Sequence, residues 1–379
     1  MKGLAAIVLL PILLVGALNG NATAAIGLRA PDFVRIEVPG PPGLLVDPNT
    51  RIPGLVAEET PASELTVRPD PHAEAHVAAL RARIVSVNHA HARTNVALGV
   101  ILGLLALLGV LSRAAVIARA SVLYAPAALG LGLAWRSALA IGFGALAIAF
   151  VAAIPRRLFG PLLFGVLAGA LLVLWRWPTT ASFATIGPAH HGRFYGMTNQ
   201  VETMLLAPAL AAGLFAAPLA LVTVAWSKAG ADGGGAVTYL TGYAVLALRS
   251  YGHVTLRRAA VAAVAVVVIA FAVVGVDAAT GGSSHVTHSI GGGLPGDLAH
   301  RWRLSYDNAT KNVGLIIMFV SGVLLLVAVA LARPRPAVVD AMLAALVVSF
   351  VVNDTPEDVA LWGALGAIAL LGWARSRVS

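Results

Sequence analysis

Residues 203–226 read TMLLAPALAAGLFAAPLALVTVAW, and the path of this stretch decides the topology of the chain. It is apolar and long enough to cross a bilayer once. Pro208, Gly213 and Pro218 interrupt it, however, and such residues break a span into half-helices. A single crossing would put Arg257-Arg258, Arg333-Pro334-Arg335, Arg375 and Arg377 on the opposite side of the membrane from Arg113, Arg119 and Arg156-Arg157. Arginines gather on the cytoplasmic side of membrane proteins. Letting 203–226 dip in and return keeps all of these clusters inside. The expected element is therefore a re-entrant hairpin, tolerated at membrane depth where it lines a cavity rather than lipid.

On either side of the hairpin, apolar blocks of membrane-spanning length recur. They predict spans at 95–112, 120–134, 137–154 and 158–175 before it. Further spans follow at 234–253, 259–276, 313–332, 337–352 and 358–374. The expected fold is all-α: a polytopic transmembrane helix bundle of about nine spans plus a re-entrant hairpin. The transmembrane domain covers 95–374, and a short cytoplasmic tail covers 375–379.

Composition agrees with this solvent. The chain has 379 residues, 59% hydrophobic and only 11% charged, with a mean hydropathy of +0.86. A soluble domain carries about 25% charged residues. The formal net charge of +9 comes from short basic clusters between apolar blocks, not from a continuous basic face. That pattern excludes a nucleic-acid partner and leaves the lipid bilayer as the expected one. There is no cysteine, so disulfides, thiolate catalysis and cysteine-ligated metals are excluded.

The N-terminus reads as a secretory signal over 1–24. Lys2 begins it, an apolar run follows from Leu4 to Leu18, and Ala22-Thr23-Ala24 supplies a cleavage site. Residues 25–94 are expected outside. Up to about residue 70, a Pro- and Gly-rich segment (Pro39-Gly40-Pro41-Pro42-Gly43) reads as an extended, poorly packed arm without a core of its own. From His72 to Thr94 a helix is expected to lead into the first span. His72 and His76 share a face there, and His89 and His91 mark the membrane entry. A solvated polar helix and a metal site both fit this pattern.

With the hairpin in place, four polar motifs scattered in sequence reach the same outer face. The first, His190-His191-Gly192-Arg193-Phe194-Tyr195-Gly196-Met197-Thr198-Asn199-Gln200-Val201-Glu202, sets an Arg, a Tyr, an Asn and a Glu before an apolar helix. Asn199 and Glu202 fall on one helical face. A carboxylate entering a membrane faces a cavity or a cation, and Arg193 is a natural phosphate or carboxylate binder. An interfacial anchor with Asn as helix cap is the plain alternative.

The second motif, Ser227-Lys228-Ala229-Gly230-Ala231-Asp232 followed by three glycines, is a turn opening a helix. Its N–H groups and Lys228 suit an anion; a connector with Lys228 and Asp232 paired is the alternative. The third, from Asp277 to Asn312, carries His285 and His288, which suit a divalent metal or a general base. An amphipathic loop anchored on the membrane by Trp302 fits it equally. The fourth, Asn353-Asp354-Thr355-Pro356-Glu357-Asp358, reads as a span end with helix caps.

The combination RFYGMTNQVETMLLAPAL, SKAGADGGG, a Ser-Ser-His loop and an Asn-Asp span end resembles a group of largely uncharacterised bacterial, actinobacterial-type, multi-pass membrane proteins. Some relatives in that group carry an exported alkaline-phosphatase-like part. The resemblance covers about 95–374 and implies a family without implying a reaction. A looser likeness is to O-antigen ligases and polymerases of the bacterial envelope, through Arg193, Gly196 and Asn199, Ser227-Lys228, and His285 or His288. Their doubled Asn around Pro is missing, and the turn carries Lys in place of Arg.

These readings converge on an outward-facing polar site that acts on a lipid-linked or anionic cell-envelope substrate, ligase- or transferase-like. Glu202, Asp232, His285 and His288 are the candidate catalytic residues. Arg193, Tyr195, Asn199 and Lys228 are the candidate substrate binders, and the sequence leaves any cofactor or metal open. A secondary transporter and a non-catalytic membrane scaffold remain the alternatives.

Overall fold

The computed structural model describes residues 24–188, 194–279 and 294–377, apart from single positions 31, 49, 59 and 253. The expected signal sequence therefore lies outside the described residues, save for Ala24, which opens the first strand. The chain divides into two compact units, one of residues 1–88 with 189–194 and the other of 89–188 with 195–379.

The first unit corrects the reading of 25–70 as an unpacked arm. A five-stranded sheet is built from β1 Ala24–Arg29, β2 Val34–Pro39, β3 Gly43–Val46, β4 Leu55–Val56 and β5 Thr66–Pro69. β1 pairs antiparallel with β2 along one edge, and parallel with β3 and β4 along the other. Ala25, Leu45 and Val56 form a small core, and Leu28 and Leu55 are buried too. The buried Asp47 carboxylate ties the β3–β4 region together: it accepts from Ala57 N at 2.7 Å and Thr60 Oγ1 at 2.8 Å. The proline-glycine run that read as part of an extended arm joins the end of β2 to the start of β3.

The predicted lead-in helix and first span are one helix, α1 Ala73–Ser112. The second unit continues through α2 Ala115–Gly132, α3 Ala138–Ala153, α4 Phe159–Arg176 and the short α5 Pro178–Ser182. Next come α6 Asn199–Ala212, α7 Ala217–Ala225, α8 Gly233–Ser250 and α9 Leu256–Ala279. The chain closes with α10 Leu294–Thr310, α11 Val313–Leu331, α12 Ala337–Val352 and α13 Pro356–Arg375. Six of these regions are long and apolar enough to cross a membrane: Ala73–Ser112, Ala115–Gly132, Arg156–Arg176, Leu256–Asp277, Val313–Leu331 and Pro356–Arg375. The chain is thus mostly helical, with the long apolar helices of a multi-pass membrane protein. At 16 residues each, α3 and α12 reach only about 24 Å.

α13 is the central helix of the second unit, packed against α2, α6, α11 and α12, whereas α9 leaves its apolar surface exposed. α8 and α12 run antiparallel, because Gly234 at the start of α8 meets Asn353 just beyond α12. At their other ends, Arg249 pairs with Asp340 at 2.8 Å, and Arg335 pairs with the same carboxylate at 2.6 Å. Arg119 Nε donates to the Ala153 carbonyl at 2.7 Å, and Arg375 donates to that of Arg333 at 3.4 Å. Arginine-rich turns thus share one end of the bundle.

The stretch 203–226 does not form one helix. α6 ends at Gly213, whose φ of 90° and ψ of −179° lie in a region open essentially to glycine. The chain then turns through Leu214–Ala216 into α7. It comes back on itself: Met197 N, just before α6, donates to Gly230 O, just after α7, at 2.8 Å. Gly196 packs so closely on the Gly230 carbonyl that a Cβ there would collide with it.

A helix ending inside a bundle leaves carbonyl groups without partners. Two tyrosines of α8, one helical turn apart, donate to α6, Tyr243 at this end and Tyr239 at its first turn. Tyr243 OH donates to Ala209 O at 2.9 Å, and Tyr239 OH donates to Glu202 O at 2.9 Å.

Candidate functional site

The mouth of the α6–α7 hairpin gathers the polar motifs. Thr198 caps α6, its hydroxyl accepting from Val201 N at 3.2 Å. Asp232 caps α8, accepting from Gly235 N at 3.0 Å. α13 starts alongside with Pro356 in its first turn. Three helix N-termini therefore face one region. Each favours a nearby negative charge by about 0.3–1 kcal/mol, and the residues supplied here are carboxylates.

Glu202 is fully buried, and its Oε2 accepts from Asn353 Nδ2 at 3.1 Å. Asn353, 2% exposed, is fixed in turn by a 2.7 Å bond to Ser349 Oγ. In the reverse direction, Asn199 Nδ2 donates to Asp354 Oδ1 and Thr355 Oγ1, both at 2.9 Å. Two amide-to-carboxylate bonds thus cross between the first turn of α6 and the α12–α13 turn. Gly235 leaves room for the Glu202 carboxylate, since a Cβ on it would lie 2.9 Å from Glu202 Cδ. Asp232, Glu357 and Asp358 are buried as well. Among the described residues, Asp232 Oδ2 and Glu357 Oε2 have no hydrogen-bond partner. A polar atom held this way costs about 1–3 kcal/mol and is worth retaining only where something else is gained.

The surroundings are tied in by further polar bonds. Gln200 Nε2 donates to Asn95 Oδ1 at 2.8 Å, Asn95 bonds His91 Nε2 at 2.8 Å, and His91 Nδ1 reaches the Thr185 carbonyl at 2.9 Å. Since Asn95 donates to Nε2, the imidazole proton sits on Nδ1. The 277–312 segment is not all loop, because α10 lies within it. Ser305 and Asn308 donate to the carbonyls of Asn353 and Asp354 at 3.0 and 2.8 Å, and Trp302 donates to Val351 O at 3.2 Å. Asp277, at the end of α9, accepts from Ser227 N at 3.1 Å.

Of the residues singled out from sequence, the mouth brings together Glu202, Asp232 and Asn199, with Tyr195 buried just ahead of α6. Lys228 does not join them. Its side chain is exposed, and the pair with Asp232 that the connector alternative supposes is not made either. Arg193, His285 and His288 lie outside the described residues, as do His190 and His191. No group of three or more His, Asp or Glu among the described residues is arranged to hold a metal.

The sequence reading missed the part played by Asn353, Asp354, Glu357 and Asp358. Acids in the first turn of a helix are such ordinary dipole partners that their type alone does not mark a site. The Gln200–Asn95–His91 chain leaves no local mark either, since its partners lie 94 and 105 residues apart in sequence.

No protein-family model, curated protein or solved structure matches this chain.

Proposed function

We propose that the chain is a multi-pass envelope-membrane enzyme of ligase or transferase type, working on a lipid-linked or anionic substrate at the extracytoplasmic face. The observation that carries this reading is the meeting of Glu202 and Asp232 at the hairpin mouth. They come from opposite sides of the hairpin into a buried region walled by Asn353. A carboxylate held there is placed to take the proton of an acceptor hydroxyl. As that oxygen bonds to the donor's activated carbon or phosphorus, the bond to the anionic leaving group breaks. Arg193 would hold the anionic group of the substrate, with Lys228 at the rim, and His285 or His288 would serve as a second proton carrier. The likeness to O-antigen ligases points the same way.

Orientation follows from charge. The end carrying Arg119, Arg249, Arg335 and Arg375 belongs in the cytoplasm by the positive-inside tendency, so the carboxylate end faces out. In this reading α8, α3 and α12 cross together with the six long helices, giving nine spans and one re-entrant hairpin after a cleaved signal.

A secondary transporter is the second reading. The break at Gly213 inside the bundle favours it, since transporter sites are built from interrupted helices.

The test is complementation. In cells deleted for this chain, lipid extracts should accumulate a lipid-linked or anionic envelope precursor. The wild-type chain should clear it, whereas Glu202→Gln and Asp232→Asn, inserted at equal levels, should not. Full clearance by both variants would end the enzyme reading. Proton- or sodium-driven solute uptake into proteoliposomes, lost in the same variants, would establish the transporter in its place.

A further inference from the structure

Below the carboxylate cluster, α6 contains a second irregularity. Pro208 has no N–H, so the Met204 carbonyl lacks its usual donor four residues on. Against this turn lies Trp362 of α13, 2% exposed, whose indole Nε1–H is buried without a hydrogen-bond partner. A lone orphan of either kind would be a modest defect. Here Met204, Pro208 and Trp362 line one small pocket, together with Ser121 of α2 and Thr203 of α6. The hydroxyls of these two already donate, Ser121 to Ala118 O and Thr203 to Asn199 O, so only their oxygen lone pairs are left to offer.

The space measures about 10 Å³. That matches a single water, which needs roughly 10–15 Å³ and two to four polar partners. We infer that this cavity is an internal water site. The water accepts from Trp362 Nε1–H and donates to Met204 O, with its second proton directed to Ser121 or Thr203. Such a bridge satisfies the donor and the acceptor at once, and it accounts for a carbonyl freed by proline and a buried indole N–H meeting in the apolar interior. The inference does not depend on the reaction proposed for the mouth.

The experiment uses the full chain in lipid bilayers, with the indole nitrogens of its seven tryptophans labelled with ¹⁵N. Magnetisation transfer from water to each indole N–H is recorded by solid-state NMR. Two variants carry the test, one to assign the Trp362 signal and one to empty the site. Trp362→Phe deletes it, and Ala207→Val, which fills the cavity wall, keeps the indole but expels the water. The expected result is clear water transfer to Trp362 in the wild type and its loss in A207V, while the exposed Trp302 keeps its transfer in both. A Trp362 indole without water transfer in the wild type, or with undiminished transfer in A207V, overturns the site.

Discussion

The side-chain amide of Asn353 donates to the carboxylate of Glu202 across 3.1 Å, joining the end of α12 to the first turn of α6. A neutral amide is an economical partner for a buried acid. It holds the carboxylate in place without setting a cation beside it.

Removing that amide should be costly. Asn353→Ala is expected to lower stability by about 2 kcal/mol, the scale of a buried bond to a charged group. Asn353→Asp should cost more, since it sets a second acid against Glu202. Unfolding of the purified chain in mild detergent reads both. Equal stability of N353D and wild type would mean that the carboxylate does not depend on this donor.

Tyr243 supplies the Ala209 carbonyl at the buried end of α6. Tyr243→Phe keeps the ring and removes only the donor, so about 1–2 kcal/mol should be lost. The same detergent-unfolding assay measures it. A matching change at Tyr251, which is exposed, should have no effect and serves as the control.

Gly213 turns the hairpin in a backbone region that other residues avoid. Gly213→Ala should destabilise by at least about 1–3 kcal/mol, the cost of holding a side chain there. Insertion level and thermal midpoint in detergent report it. A fully stable G213A would show that the turn can be made with another backbone geometry.

Topology can be tested directly because the chain contains no cysteine. Lys228 and Tyr251 are exposed and lie at opposite ends of the bundle. Single cysteines at these positions should react oppositely in intact cells: an impermeant maleimide should label K228C and leave Y251C untouched. Labelling of Y251C alone would invert the proposed orientation, and the extracytoplasmic site would have to be given up.

The long apolar helices were legible in sequence because a bilayer imposes both a length and an apolar composition on a crossing helix. The hairpin was legible for a related reason. Pro208, Gly213 and Pro218 interrupt a stretch that would otherwise have crossed, and arginine placement demanded its return. The sheet was hidden. β1 pairs in parallel with strands that follow a Pro-Gly turn, and pairing of that kind leaves little local pattern beyond the alternation in Val34–Val38. The mouth was only half visible. Glu202 and Asp232 stood out as carboxylates beside apolar helices, whereas the Asn353 contact spans 151 residues and leaves no local mark. Lys228 is the opposite case: its motif placed it with the candidate binders, yet its side chain is exposed and does not join the mouth.

The tyrosine donors of α8 bear on the order in which the protein is made. The α6–α7 hairpin leaves the ribosome before α8, and until α8 arrives the Ala209 carbonyl lacks its tyrosine donor. Each arm is too short to settle in the bilayer alone, and the first begins with an acid. The hairpin is therefore expected to wait at the membrane surface and to slot into the bundle late, once α8 and α13 have inserted and formed the wall that receives it.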